Sequence, residues 1–331
     1  MHLTLLLPGL CWGQDDAPQA LLGEVSLPAL SHLWRFGQHQ AEALSLSQLY
    51  QRYLPLHNWQ SHHEVAEPTR SHYWLSPVHL RVNRDYITLA DGAVHGINSD
   101  EAAQLCEGLN DFLAAEDWRL SPVAPDLWHL STPQALNVSL VDLADVVGQD
   151  IDGHQPQGPE VMALQRIQTE IQMWLYQHPL NAAREAAGRL SINGVWPWSM
   201  GQVAVPAAGD VAYFVPPPQQ WQLVGAAHDA PYDFAGWQAQ LAEADVSASR
   251  ACLLQEDLLG AMQYDDAWGY QQGLVDVEAR FIGPAIAALK AGVLSQLTVV
   301  AHGRHGGQVT LSGKAHWAFW RKQQLFTGRV L

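Results

Sequence analysis

Leu3-Thr4-Leu5-Leu6-Leu7-Pro8-Gly9 lies at the start of the chain, and Leu297-Thr298-Val299-Val300-Ala301 matches it near the other end. Each is a short, unbroken apolar run, the pattern of a strand buried on both faces within a parallel sheet. Pro8-Gly9 ends the first run, and the loop His302–Gly307 ends the second. Helical patterns fill the space between. Pro28–Gly37 carries proline in its first turn and glycine at its stop. Ala41–Tyr53 reads as a second helix. After Gly158-Pro159-Glu160, the residues Val161, Leu164, Ile167, Ile171, Trp174 and Leu175 form one apolar stripe that Pro179 terminates. Val275–Ala291 reads as a further helix closed by Gly292. Strands alternating with helices along the whole length put the chain in the α/β class.

The middle of the chain has a different texture. His57–Arg70 is polar and irregular. Val78–Val82 and Tyr86–Leu89 read as paired strands joined by a turn at Asn83-Arg84-Asp85. Asn98-Ser99-Asp100-Glu101 has capping-box spacing and opens a helix with Leu105, Leu109, Phe112 and Leu113 on one face. Trp128–Leu130 reads as a short strand, and Ile192–Trp198 as another further on. Ala207–Gly236 is rich in proline and glycine, with Pro216-Pro217-Pro218 as its clearest break. Residues 71–155 are therefore expected to form a smaller α/β module inserted into a core made of residues 1–70 and 156–331.

Composition narrows the function classes. The chain has 331 residues and a formal charge of −16, with 48% apolar and 15% charged residues. Disorder is excluded. So is an electrostatic footprint for nucleic acid or an anionic membrane, since Lys290, Lys314 and Lys322 are its only lysines. Cys11, Cys106 and Cys252 are far apart and lack any CxxC spacing, which fits buried thiols in a reducing compartment. No apolar run reaches the roughly 18 residues of a membrane span. The expectation is a cytoplasmic protein.

Histidine is abundant, at 16 residues, but His62-His63, His72/His79 and His302/His305 show neither HExxH nor HxH spacing. No GxSxG elbow is present, and Gly303–Gly307 lacks the form of a phosphate loop. The 14 tryptophans, clustered at Trp196/Trp198 and Trp317/Trp320, read chiefly as core rings; a protein-binding scaffold would instead expose Trp317 and Trp320. The segment His178-Pro179-Leu180-Asn181-Ala182-Ala183-Arg184 is more informative. An asparagine amide and a guanidinium one helical turn apart can hold a phosphate or carboxylate. The alternative is structural: Asn181 caps the next helix while Arg184 pairs with Glu170 or Glu185.

These residues carry a resemblance. The run from Gln168 through His178-Pro-Leu-Asn181-Ala-Ala-Arg184 to Gly188, followed by Ile192-Asn193-Gly-Val-Trp196, is similar to a segment of the cofactor-independent phosphoglycerate mutases. Gly9-Leu10 and Pro28-Ala-Leu-Ser-His-Leu33 with Gly37 resemble the start of the same family. Pro77-Val-His79-Leu-Arg81-Val-Asn-Arg84-Asp85 adds a closer likeness to bacterial regulatory relatives of RpfE type. The resemblance implies an alkaline-phosphatase-like fold: a central, mostly parallel sheet flanked by helices, with an inserted module. In the family this fold carries two divalent metals and a phosphorylated serine.

Several of the family's ligand positions do not carry over. Pro8-Gly9 stands where the family has Asp-Gly. Asp265-Asp266-Ala267-Trp268-Gly269-Tyr270 aligns with a motif that ends in histidine. Ala301-His302-Gly303 stands where the family has Ala-Asp-His, and the family's nucleophile segment, Gly-Ser-Asp before an extended stretch, is deleted around Pro55–Arg70. The resemblance therefore implies a catalytically degenerate, regulatory or anion-sensing protein with no cofactor. Its candidate ligand-binding residues are Asn181, Arg184, Asn193 and His178, and its ligand is a small phosphorylated or carboxylate molecule or a protein. The rival is an active mutase or phosphatase holding manganese or magnesium through Asp265, Asp266 and His302, with Asp15 and Asp16 as substitute carboxylates.

Overall fold

The computed structural model describes residues 1–12, 22, 25–56, 69–199, 211–216, 227–243, 248–313 and 324–330. Asp15, Asp16, His62, His63, Trp317 and Trp320, with most of the nucleophile stretch, lie outside the described residues. The chain divides into two compact units, one of residues 1–57 and 203–331, the other of residues 58–202.

The first unit opens with β1 (His2–Leu6), α1 (Pro28–Phe36), β2 (Gln38–Ala41) and α2 (Leu46–Tyr53). The second contains β3 (Ser71–Val82), β4 (Ile87–Ala90), α3 (Gly92–His95), α4 (Ser99–Phe112), β5 (Arg119–Ala124), β6 (Leu127–Thr132), α5 (Val161–Gln177), α6 (Pro179–Ala186) and β7 (Gly194–Trp198). The chain then returns to the first unit. There it forms β8 (Val211–Val215), β9 (His228–Asp229), α7 (Phe234–Glu243), β10 (Arg250–Leu254), α8 (Leu259–Gln263), α9 (Ala267–Val277), α10 (Gly283–Lys290), β11 (Gln296–Ala301) and β12 (Gly307–Ser312).

The first unit is built on a seven-stranded sheet in the order β2-β12-β11-β1-β10-β8-β9. From β11 to β9 the strands are parallel, and β12 and β2 add an antiparallel edge. β1 sits between β10 and β11, so Leu3, Leu5, Ala251, Leu253, Leu297 and Val299 share one fully apolar face. That face packs on Leu30, Leu33 and Trp34 of α1 and on Tyr270, Leu274, Phe281 and Ile286 of the 267–290 helical run. The opposite face carries Cys252, whose thiol lies 3.8 Å from the Tyr53 carbonyl oxygen, so α2 covers that side. This is the expected mostly parallel sheet flanked by helices.

Two boundaries differ from the sequence reading. The 41–53 helix begins only at Leu46, where Ser45 and Gln48 form a capping box. Ala41 instead ends β2, the edge strand that pairs with β12. The 275–291 helix begins earlier, at Ala267, and passes through a π-helical turn over Glu278–Ile282. Pro284 explains the wider turn, because it supplies no amide hydrogen to the residues before it.

The second unit centres on β3, which pairs antiparallel with β6, β7 and β4, while β5 extends β6. Its core is Leu75, Leu105, Leu109, Trp128 and Leu130 packed on Leu164, Ile167, Ile171 and Leu175 of α5. This moves the expected boundary. Residues 156–202 belong not to the sheet core but to the second unit, where α5 buries its stripe and β7 adds a strand to β3. The inserted unit is therefore residues 58–202 rather than 71–155.

Candidate functional site

In an open α/β sheet, ligands bind beyond the carboxyl ends of the parallel strands. Here those ends run into Leu7-Pro8-Gly9 after β1, Gln255-Glu256-Asp257-Leu258 after β10, and His302-Gly303 after β11. Backbone bonds from Leu7 N to Val300 O (2.9 Å) and from Gln255 N to Leu6 O (3.0 Å) continue the ladder one step past the strands. The chain then turns at Gly9, whose φ of +85° is open to glycine. A β-carbon there would lie 2.7 Å from the Leu258 carbonyl carbon and oxygen, so the two loops meet backbone to backbone.

Side chains seal the loop after β1. Leu7, Leu10, Cys11 and Trp12 are all buried. The Tyr270 hydroxyl donates to Leu10 O at 2.7 Å, and the Trp12 ring meets Tyr270 edge-on at 4.7 Å. Burial pushes the Tyr270 phenol up and carries the Cys11 thiol to about 12, so neither ionises near neutrality.

The metal candidates are placed as follows. Pro8 offers no side-chain oxygen at the strand end. His302 is buried, and its Nδ1 accepts the Gly9 amide at 3.2 Å, which commits that lone pair. Asp266 caps α9, accepting the Gly269 amide at 2.9 Å, and Asp265 occupies left-handed backbone at φ +54°. Asp265, Asp266 and His302 are not gathered into a metal-holding set; among the described residues no three His, Cys, Asp or Glu side chains converge in that way. These donors do not fit a two-cation centre, which needs several convergent anionic oxygens.

Other polar groups at the strand ends pair with one another. The Tyr50 hydroxyl donates to Glu256, and Gln255 Nε2 donates to Pro231 O at 3.0 Å. Arg280 pairs with Asp257, its guanidinium 4.5 Å from the Tyr232 ring centre. Glu278 lies further from the strand ends, in the π-turn, and accepts the Ala29 and Leu30 amides at 2.9 and 3.0 Å, which satisfies the first turn of α1.

The 178–193 segment is in the second unit. His178 is the residue that caps α6, accepting the Leu180 amide at 3.2 Å on Nδ1. Asn181 is buried inside the turn. Its amide nitrogen donates to Leu175 O and Ile192 O at 2.8 and 2.7 Å, and its oxygen accepts Ile192 N at 2.7 Å. Asn193 bonds Leu80 on both sides, accepting its amide at 2.6 Å and donating to its carbonyl at 2.9 Å, as one more rung beside β3. Arg184 is 1% exposed and pairs with Glu101 at 2.6 Å, not with Glu170 or Glu185. It also donates to Leu190 O and His95 O.

Glu101, whose spacing announces only a capping residue, does more than cap α4. It holds Arg184 and Arg189 together while accepting the Asn98 amide at 3.1 Å. Burial raises its carboxyl, but hydrogen bonds from Arg189 and Asn98 and both guanidinium charges outweigh this and hold it below the usual range. The available signal was the pair of arginines five residues apart after an asparagine turn. Asn181, Asn193, Arg184 and Glu101 together tie α5, α6 and the residues leading into β7 to β3 and α4.

No family model matches the chain, and no curated protein matches it significantly. Among solved structures it is similar to the cofactor-independent phosphoglycerate mutase from Thermoplasma acidophilum, with a TM-score of 0.40 and 15% identity over 95% of this chain and 90% of that one. It is also similar to the PH0037 protein from Pyrococcus horikoshii, with a TM-score of 0.46 and 11% identity over 94% and 87%. No helix among the described residues is long and apolar enough to cross a membrane.

Proposed function

We propose that the chain is a catalytically silent relative of the cofactor-independent phosphoglycerate mutases, of the kind of their RpfE-type regulatory relatives, and that it acts by binding rather than by turnover. The observation that carries this reading is the state of the strand ends. Where a two-metal phosphoryl-transfer site needs open carboxylates, the loop after β1 presents Pro8, packs Gly9 on the Leu258 backbone and uses its amide to occupy His302. The likeness of the 168–196 segment to the family supports descent from that fold, and its polar groups are spent on holding backbone in place.

The test is direct. Purified full-length protein incubated with manganese and 3-phosphoglycerate is expected to give no conversion above a protein-free control. Conversion that a chelator abolishes, and that Asp265→Ala or Asp266→Ala reduces, would establish the active-mutase reading instead.

A further inference from the structure

We propose that the outward face of α5 is the surface through which two copies of this chain pair, their helices antiparallel about a two-fold axis at Thr169. A surface helix ordinarily has one apolar stripe and a polar opposite face. α5 has two apolar stripes. Leu164, Ile167, Ile171 and Leu175 are buried in the second unit. With about 100° of rotation per residue, the opposite side carries Met162, Arg166, Thr169, Met173 and Tyr176. Met162, Met173 and Tyr176 are 73%, 61% and 86% exposed, so three large apolar side chains line up in water along one helix.

The charge pattern selects the occupant. The chain has a net charge of −16, yet this stripe holds no acidic residue. Its one charge, Arg166, is already paired with Glu170 at 2.8 Å and Glu116 at 3.7 Å. A basic partner finds no carboxylate on the stripe, and an acidic one is repelled by the rest of the molecule. A neutral strip is where two copies of one polyanion approach with least repulsion. The order of the residues also suits a second copy, because in a two-fold contact residue i meets j and j meets i. With Thr169 on the axis, Met162 of each helix comes level with Tyr176 of the other, a thioether beside an aromatic ring at both ends. Thr169 comes level with itself. It is small, and its hydroxyl donates to Gln165 O at 2.8 Å, so it brings no unsatisfied donor to the crossing point. From Met162 to Tyr176 the stripe is about 21 Å long, which puts the contact at the small end of specific interfaces and makes the dimer weak and concentration-dependent. This pairing is independent of the catalytic state of the strand ends.

Sedimentation of the full-length protein from about 1 to 300 μM, a range that brackets a micromolar dissociation constant, tests this. The average mass is expected to rise from 36.5 kDa toward twice that value. Thr169→Glu and Thr169→Lys each place a good helix former at an exposed position, so the fold should be kept, which far-UV circular dichroism checks. Each variant alone sets two like charges face to face on the axis and should raise the dissociation constant about tenfold or more. An equimolar mixture of the two sets opposite charges there and should restore the dimer. That rescue requires position 169 of one copy to meet position 169 of the other, which a loss of folding or a contact elsewhere would not produce. A natural chain that stays monomeric throughout, single variants that pair as the natural chain does, or a mixture that stays monomeric overturns the proposal.

Discussion

Replacing Glu101 with glutamine tests the reading of the 178–193 segment as a clasp. The carboxylate is 10% exposed and pairs with Arg184, itself 1% exposed, and with Arg189, 37% exposed. Removing one partner of a buried ion pair leaves the other charged and desolvated, at a cost of about 3–5 kcal/mol. Arg189 reaches water and offsets none of that. Arg189→Gln alone removes only a half-exposed arm and should cost about 0.5–1 kcal/mol. In a unit of this size, about 3 kcal/mol lowers the melting temperature by roughly 10 °C.

Scanning calorimetry of the full-length variants, with hydrogen exchange assigning the early transition to residues 58–202, gives the two values side by side. The charge also makes the effect depend on pH. Because the folded-state pKa lies below the unfolded one, the stabilisation is full above the ordinary carboxylate pKa of about 4.3 and is lost as pH falls through the folded value. The gap between natural chain and Glu101→Gln should therefore narrow in acid. A Glu101→Gln loss no larger than that of Arg189→Gln, or a gap independent of pH, would refute Glu101 as the buried counter-charge.

Four further outcomes follow from single contacts. Gly9→Ala forces a side chain into left-handed backbone and against Leu258, and should cost about 2 kcal/mol or more in urea unfolding of the first unit. Tyr270→Phe strands the buried Leu10 carbonyl and should cost about 1–3 kcal/mol by the same measurement. Burial, with the charge of Asp145 adding to it, carries the Asp142 carboxyl up to about 7. Its folded form then keeps a proton that the unfolded chain releases near pH 4, so stability declines as pH rises from about 4 through 7. Asp142→Asn should accordingly raise the melting temperature at pH 8 and leave it unchanged at pH 4. His95 shifts the opposite way, buried and lowered to about 4 while Nε2 donates to Pro77 O at 2.9 Å. Its stabilisation is full above about 6.5 and is lost as pH falls toward 4, so His95→Gln should flatten the melting profile across that window.

The fold was legible wherever a local rule was strong. Leu3–Leu7 and Leu297–Ala301 announce buried parallel strands because no polar residue with a strong preference for exposure interrupts them. The Asn98–Glu101 capping box and the α5 stripe were equally plain, and both stand. What failed was context. Val211–Val215 and Arg250–Leu254 are parallel strands of the same sheet, yet one lies in a proline-rich tract and the other begins with an exposed arginine. Arg119–Ala124 pairs with β6 although Pro122 weakens its strand pattern. The domain boundary was misplaced because the helix that carries the core of the inserted unit comes after the strands it packs on, and sequence adjacency says nothing about which sheet a helix covers.

The candidate site residues have partners that their spacing in the sequence does not announce. Asparagine and arginine one helical turn apart are the same donors whether they hold an anion or backbone carbonyls, so spacing cannot separate the two. In the structure the donors described for Asn181 and Asn193 go to backbone oxygens, and those of Arg184 go to two carbonyls and one carboxylate. A motif whose polar atoms build the turn between α5, α6 and β7 can resemble a family without sharing its chemistry. Likeness concentrated at 168–196 therefore bears on architecture. Likeness of activity would have to lie at the strand ends, where the Gly9 amide donates to the buried His302 and, among the described residues, no three carboxylates or imidazoles converge to hold a metal.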